Sequence, residues 1–353
     1  MDDFFEIDFL DVETEKSGDA IAIRYSLNGR TRIHVTDGGF VGTGPTLVGH
    51  IREYYGNPSR IDSVVITHPD GDHAGGVRSL FEAFTIGELW MLRPWMYAAE
   101  LLPRFARYQS AENLAAHLRT VYPHIARLEE LAQQYQVPIL APFQGVRVGE
   151  FRVLAPTQSR YLDLIVESDK TPAARAAMSF SNVSRFVQNA ISYVRSAWGD
   201  EVFPVDDTSA ENNMSVVQYA NLCGKKVLLT ADAGRAALLE AADFAPFVGL
   251  ALPGIDRIQV PHHGSRHNVS TEVLDRWLGP RLPVLKENCT AIVSAAHADP
   301  DHPRNAVVRA FIHRGAKVIS TESGTKRTAF RAPDRAGWVG VPSIPYPDTQ
   351  EEE

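Results

Sequence analysis

The stretch Thr67-His68-Pro69-Asp70-Gly71-Asp72-His73-Ala74-Gly75-Gly76 decides how this chain is read. It places two imidazoles and two carboxylates between His68 and His73. It follows Ile61 to Ile66, a mostly apolar run with the length of a buried strand. Buried carboxylates are costly unless paired or bound to metal, so four ligand-capable side chains at one strand end point to a metal site. In His68-x-Asp70-x-Asp72-His73, alternate residues can face one point, while adjacent Asp72 and His73 reach a second. That spacing serves two metals.

Two distant stretches extend the set. Leu228-Leu229-Thr230-Ala231-Asp232 is an apolar strand ending in a carboxylate suited to bridge two ions. Val260-Pro261-His262-His263-Gly264-Ser265 adds two rings, and the residues leave open which of the two is the ligand. Between His73 and Asp232 the histidines are His117 and His124, both on expected helices and not expected to ligate.

Around these motifs, Phe4 to Val12, Asp19 to Leu27 and Arg30 to Thr36 read as strands, with Asn28-Gly29 as a hairpin turn. Thr46 to Tyr55 reads as a helix. Residues 79 to 136 behave differently, with long amphipathic helices expected over Glu100 to Tyr108 and Ala111 to Tyr135, the latter kinked or split at Pro123. Val137 to Pro156 returns to strand character. A second insertion over 158–210 carries an expected helix from Ser181 to Ala197. Met214 to Tyr219, Lys226 to Thr230, Ile255 to Val260, Ala291 to Ser294, Ala316 to Ser320 and Thr328 to Arg331 are later strands. Helices are expected at Gly234 to Glu240, Thr271 to Trp277 and Asn305 to Arg314. This order suits a sandwich of two sheets with helices outside, the site lying where strand ends meet.

The chain has 353 residues, more than one core usually holds. The motifs nevertheless run from residue 9 to residue 303, so one domain with insertions is expected. A net charge of −8 disfavours a surface built for nonspecific nucleic-acid binding. It does not exclude a nucleic-acid substrate, because a metal centre can neutralise phosphate locally. Cys223 and Cys289 cannot form a disulfide framework. The acidic N-terminus lacks the pattern of a signal peptide, and no run of about 18 apolar residues occurs. A soluble, cytoplasmic protein with no membrane partner is expected.

Taken together the motifs resemble those of the metallo-β-lactamase fold hydrolases. More narrowly, they are similar to the hydrolase domain of the competence protein ComEC and its soluble relatives. The matching pieces are Phe9-Leu10-Asp11-Val12 with Ser17-Gly18-Asp19-Ala20, Thr36-Asp37-Gly38-Gly39, the run from His68 to Gly76, Asn212 to Val217, Leu229 to Asp232, Val260 to Ser265, and Asp299-Pro300-Asp301-His302-Pro303. The last stands in the place of an Asn-x-x-Gly-His-Pro element.

The resemblance implies an α+β fold, a metallo-β-lactamase-like αββα sandwich spanning 1–340. It would carry two largely helical insertions, about 90–136 and 158–210, and a flexible tail, 341–353. It implies that His68 and Asp70 hold a first metal, that Asp72 and His73 hold a second, that Asp232 bridges them and that His263 completes the second site. Asp72 and His262 would carry the chemistry. Asn213, Ser265 and His302 would touch substrate, while Asp19 and Asp37 would orient ligands.

Two departures stand out. Asp70 replaces a histidine common in relatives, and Asn212-Asn213 lies where many relatives carry another histidine ligand. The first site is thereby oxygen-rich, which shifts preference toward Mn²⁺ or Mg²⁺, although the histidines also suit Zn²⁺. One or two divalent metals are expected. The implied activity is metal-dependent hydrolysis of a phosphodiester, in DNA or nucleotides, through a metal-activated hydroxide. The alternatives are a lactone, thioester or β-lactam hydrolase, or a partner-bound effector subunit of a defence or toxin system. The insertions would shape specificity or bind a protein partner.

Overall fold

Along the first strand, alternate residues are aromatic or branched: Phe5, Ile7 and Phe9. In the computed structural model, which describes residues 2–12, 14–171, 201–284 and 286–351, that face meets a second sheet. The strands are β1 (Phe4–Phe9), β2 (Ala20–Leu27), β3 (Arg30–Gly38), β4 (Arg60–Val65), β5 (Thr85–Trp90), β6 (Ile139–Leu140), β7 (Arg147–Val148), β8 (Phe151–Ala155), β9 (Val217–Leu222), β10 (Lys225–Leu229), β11 (Arg257–Gln259), β12 (Cys289–Val293), β13 (Ala316–Ser320) and β14 (Lys326–Phe330). They form two sheets, ordered β14-β1-β2-β3-β4-β5-β6 and β13-β12-β11-β10-β9-β8-β7.

Three apolar clusters define the layers. Phe5, Ile7, Phe9, Ile21, Ile23 and Tyr25 of the first sheet pack on Phe151, Leu222, Val227, Leu229, Ile292 and Ile319 of the second. Each such side chain, taken from water, contributes about 1.5–3 kcal/mol. The outer face of the first sheet is covered by the helix Gly44–Tyr54 and by helices of the first insertion. The outer face of the second is covered by the helices Arg235–Phe244, Thr271–Leu278 and Asn305–His313. The result is helix–sheet–sheet–helix, the α+β sandwich that was expected.

The outer face of β1 carries Glu6 and Asp8, both fully buried. They are neutralised rather than exposed. Arg335 reaches Glu6 Oε2 at 2.7 Å and Asp8 Oδ1 at 2.9 Å, Arg24 Nε reaches Glu6 Oε1 at 2.6 Å, and the Tyr55 hydroxyl donates to Asp8. Buried charge persists only when paired in this way. The Arg335 guanidinium also lies over the rings of Tyr54 and Trp338, so the C-terminal stretch is strapped to the first sheet. Further along, Ile344 N–H donates to the Val318 carbonyl, and Glu351 accepts from the first amides of Asn305–His313. Over 341–351 the expected flexible tail is therefore bonded to the body.

Other expectations need correction. One strand was not anticipated: Thr85–Trp90 runs parallel to β4, with Ile61 opposite Ile86. The helix expected over Glu100 to Tyr108 is a turn of helix, Ala98–Leu101, and a 3-10 turn, Leu102–Arg104, because Pro103 lacks an amide donor. Pro123 does split the long helix, serving as the first residue of Pro123–Gln134 after Ala111–Val121. Val137 to Pro156 breaks into three short strands at Gly145 and Gly149, which have φ of 91° and 58°. The expected helix from Ser181 to Ala197 lies outside the described residues. Before it, Gln158–Glu167 is a helix capped by the Thr157 hydroxyl.

Candidate metal centre

The decisive stretch lies at the end of β4. Asp70 sits extended before a single helical turn, Gly71–Ala74, which turns Asp72 and His73 inward. Gly75 and Gly76 are required because this loop presses on the Asp37-Gly38-Gly39 turn. A Cβ on Gly76 would collide with the Gly38 carbonyl, and the Gly76 amide donates to Gly39. Asp37 itself has φ of 59°, a left-handed conformation that Asp tolerates better than most residues.

Asp232 is buried at the end of β10 and organises the site. Its Oδ1 lies 3.4 Å from His73 Nε2 and 3.7 Å from His263 Nε2. Its Oδ2 lies 3.8 Å from His68 Nε2 and 3.6 Å from His262 Nε2. Asp72 Oδ2 is 3.8 Å from His73 Nε2 and 3.9 Å from His263 Nε2, and Asp70 Oδ2 is 3.9 Å from His68 Nε2. These ring nitrogens and carboxylate oxygens are close enough to share an ion and too far apart to be bonded to one another.

The fit to a cation rests on atoms left without partners. His68 Nε2, His73 Nε2, His263 Nε2, Asp232 Oδ1 and Asp19 Oδ1 are buried with no hydrogen bond. Each such atom costs about 1–3 kcal/mol when left bare, and a divalent ion satisfies several at once. Asp19, His73, Asp232 and His263 place one ligand atom each within 4.8 Å of one another. Asp19 was expected only to orient a ligand; it lies within the same group of candidate donors. Its Oδ2 accepts from Gln259 Nε2 at 2.8 Å and lies 3.8 Å from His73 Nδ1.

The electrostatics follow from the crowding. Burial works against the Asp232 carboxylate, but the charges of His73, His262 and His263 hold its pKa well below the usual range. Burial works against a charged His263 ring, yet Asp232, Asp72 and Asp19 raise it to about 9. His73 is raised for the same reason, by Asp232, Asp72 and Asp37. Burial, then the charge of His73, lowers His68. Protons on His73 and His263 thus occupy a place that divalent ions can take, with proton release.

Loop geometry supplies the rings. His262 and His263 both have positive φ, 46° and 54°, and such strain clusters at functional sites. Gly264 follows at φ of 89°, where a Cβ would meet Pro303 at 2.7 Å. This close approach sets His302 beside the pair, its ring centre 5.7 Å from that of His262 and 6.0 Å from that of His263. His302 Nδ1 is 3.1 Å from Asp299 Oδ2, which also accepts from the Ser17 amide and hydroxyl.

Two residues expected to touch substrate make bonds within the protein. Asn213 is spent on Asp207, the Ser209 carbonyl and Arg160, holding its own loop, and Asn212 is the residue that reaches His262. The Ser265 hydroxyl accepts from the His267 amide and caps a turn. Three neighbours were missed. Lys170 Nζ contacts Asp70 Oδ1 at 2.5 Å. His124, set aside as a helix histidine, packs so that a Cβ on Gly71 would come within 2.8 Å of its Nε2. Asn268 is fully buried and bonds His262. Lys170 and Asn268 belong to no motif; His124 is legible only once its helix is docked. Trp90 and Trp95 are buried, Trp95 packing on Glu129 and Arg119.

The sequence profile described as the Metallo-beta-lactamase superfamily matches residues 35–123. Comparison with curated protein sequences finds no significant match. Among solved structures, a mutant of CmlA beta-hydroxylase is similar at a TM-score of 0.43 and 12% identity, covering 94% of this chain and 54% of that one. The chain thus spans about half the length of that protein. Rm3 metallo-beta-lactamase is similar at 0.32 and 11% identity, covering 76% of this chain and 80% of that one. The metallo-beta-lactamase MIM-1 from Novosphingobium pentaromativorans gives 0.31 and 11%, covering 75% and 78%. With its two apposed seven-stranded sheets and a buried Asp/His cluster at the strand ends, the chain has the metallo-β-lactamase fold, and its residues 35–123 match the profile of that superfamily.

Proposed function

We propose that the chain is a metal-dependent hydrolase of phosphodiesters, acting on DNA or nucleotides. The observation that carries this reading is the division of donors about Asp232. Each carboxylate oxygen faces two imidazole nitrogens, at 3.4 and 3.7 Å on one side and 3.8 and 3.6 Å on the other. A pair of divalent ions held there would polarise a phosphoryl oxygen and lower the pKa of a bound water toward neutrality.

The protein's own groups do the rest. Asp70, Asp72 and Asp232 make the donor set oxygen-rich, which favours Mn²⁺ or Mg²⁺ beside Zn²⁺. Asp37, the Ser294 carbonyl and Asn268 hold the rings of His73, His263 and His262 by their Nδ1 atoms. Lys170, half-exposed at the rim on Asp70, is a cation placed for an anionic substrate. His302, turned by Asp299, contacts the substrate from the opposite loop.

The test is turnover of bis-p-nitrophenyl phosphate, single-stranded DNA and cyclic dinucleotides, beside the neutral ester p-nitrophenyl acetate. Metal-stripped protein is supplied with Mn²⁺, Zn²⁺ or Mg²⁺. Metal-dependent phosphodiester cleavage, lost in Asp72→Ala and Asp232→Ala, is expected. Turnover confined to the neutral ester would sink the phosphodiester reading in favour of acyl hydrolysis.

A further inference from the structure

The first half of the site has a deficit. On its motif residues it holds His68, Asp70 and one oxygen of Asp232, where the second half holds His73, His263, Asp72 and the other oxygen. No histidine stands at Asn212-Asn213 to complete it.

We infer that His262 is the missing donor, ligating the first ion through Nε2, with Asn268 fixing the ring for that role. This rests on the two-metal reading above and names a ligand of that same site. The geometry is local: two amides approach His262 Nδ1, Asn268 at 2.9 Å and Asn212 Nδ2 at 3.3 Å, and the shorter contact sets the ring. Asn268 Nδ2 donates to the Asp232 carbonyl at 2.8 Å and to the Ala233 carbonyl at 3.3 Å. Those two acceptors fix which end of the amide is nitrogen. The Asn268 oxygen must then be the atom 2.9 Å from His262 Nδ1. Nδ1 is therefore the donor, and in the neutral ring Nε2 carries the free lone pair. This is the tautomer a ligand needs, selected by the bond at the other nitrogen.

His262 Nε2 points at the oxygen of Asp232 that His68 Nε2 also faces, 3.6 and 3.8 Å away. On the motif residues the two halves then match, with two imidazoles, one private aspartate and one oxygen of Asp232 on each side; Asp19 lies with the second half. Adjacent His262 and His263 serve opposite halves because both backbones are left-handed. Their rings are 5.6 Å apart and inclined at 66°, so consecutive side chains diverge across Asp232. His262 thus positions the first ion and does not serve as a proton donor to substrate.

The experiment is metal loading of the full chain without substrate. Wild type, stripped and titrated with Co²⁺ or Mn²⁺, is expected to bind two equivalents, counted by elemental analysis. His262→Ala is expected to retain one. Asn268→Ala, which keeps the ring but frees its tautomer, is expected to weaken one equivalent by about 10–100-fold. His302→Ala, whose ring lies beside those of His262 and His263 but is not a donor, is expected to keep two. His262→Cys with Co²⁺ is expected to show a thiolate-to-cobalt charge-transfer band in the near ultraviolet, a signal that only direct ligation at position 262 produces. Two equivalents of wild-type affinity in His262→Ala, or no thiolate band in His262→Cys with both equivalents bound, overturns the assignment while leaving the two-metal reading intact. A wild-type protein that takes up no divalent ion overturns both.

Discussion

The Nδ1 atom of His73 lies 2.8 Å from Oδ2 of Asp37, a carboxylate at the end of the neighbouring strand. The same carboxylate accepts from the amide and hydroxyl of Thr67 at 2.9 and 2.6 Å. Asp37 therefore joins the end of β3 to the start of the ligand loop and turns His73 Nε2 toward Asp232. Orienting carboxylates of this kind are typically worth 10–100-fold in metal affinity. Asp37→Asn is expected to lower affinity at the second half by about that factor. Asn accepts the left-handed backbone as well as Asp does, so near-native thermal stability of the metal-free variant is expected. Competition against a fluorescent chelator measures the first quantity, and a thermal scan the second.

Lys170 bears on the other half. Its ammonium holds Asp70 Oδ1 at 2.5 Å, while Asp70 Oδ2 faces His68. A partly exposed ion pair is worth about 1 kcal/mol at most, and on the proposed assignment of Asp70 it would compete with a metal for the same carboxylate. Lys170→Met is expected to tighten the weaker metal equivalent by up to about fivefold, read by calorimetric titration. Weaker binding would show instead that the lysine holds Asp70 in place.

Glu201 predicts an acid limit to stability. Its carboxylate is buried among Arg314, His313 and Thr271, with Arg314 Nη1 at 2.6 Å. Burial alone would raise its pKa, but hydrogen bonds from His313 and Arg314 bring it down to about 2. A carboxylate depressed in the folded state stabilises fully above its unfolded pKa of about 4.5, and that stability is lost as pH falls toward 2. Glu201→Gln is expected to cost about 3 kcal/mol at pH 7, and the gap to wild type should close between about pH 4.5 and 2. Denaturant titrations at several pH values test this; a pH-independent gap would count against it.

Glu351 tests whether the C-terminal stretch is part of the domain. Its two carboxylate oxygens accept from the amides of Asn305 and Ala306 at 2.9 and 3.0 Å, at the start of the helix that follows His302. A carboxylate at a helix N-terminus contributes about 1 kcal/mol. Glu351→Ala is expected to lower the melting temperature by about 2 °C. No change in a calorimetric scan would mean that the stretch is free in solution.

Much of this molecule is legible in the chain. The alternation in β1, the Asn28-Gly29 turn and the split at Pro123 are local, governed by the period of two, by positive φ and by the missing proline amide. The run from His68 to His73 declares its chemistry because charged groups after a buried strand need a reason to be there. Short segments failed where local pattern is ambiguous. Thr85–Trp90 pairs with β4 because the sheet edge is available, which six residues beside a helix do not advertise.

The sequence by itself determined the longer strands, the residue types at the candidate site and the glycines that let the loops close on one another. Only the tertiary structure decided how those side chains converge. Asp232 presents its two oxygens to two pairs of rings, Asn268 meets Nδ1 of His262, Asp19 arrives from a loop hundreds of residues away, and Lys170 claims the far oxygen of Asp70. These relations depend on side-chain directions converging from separate strand ends at distances below 4 Å. No spacing along the chain encodes such a distance; it exists only once both sheets have packed through Phe5, Ile7 and Phe9.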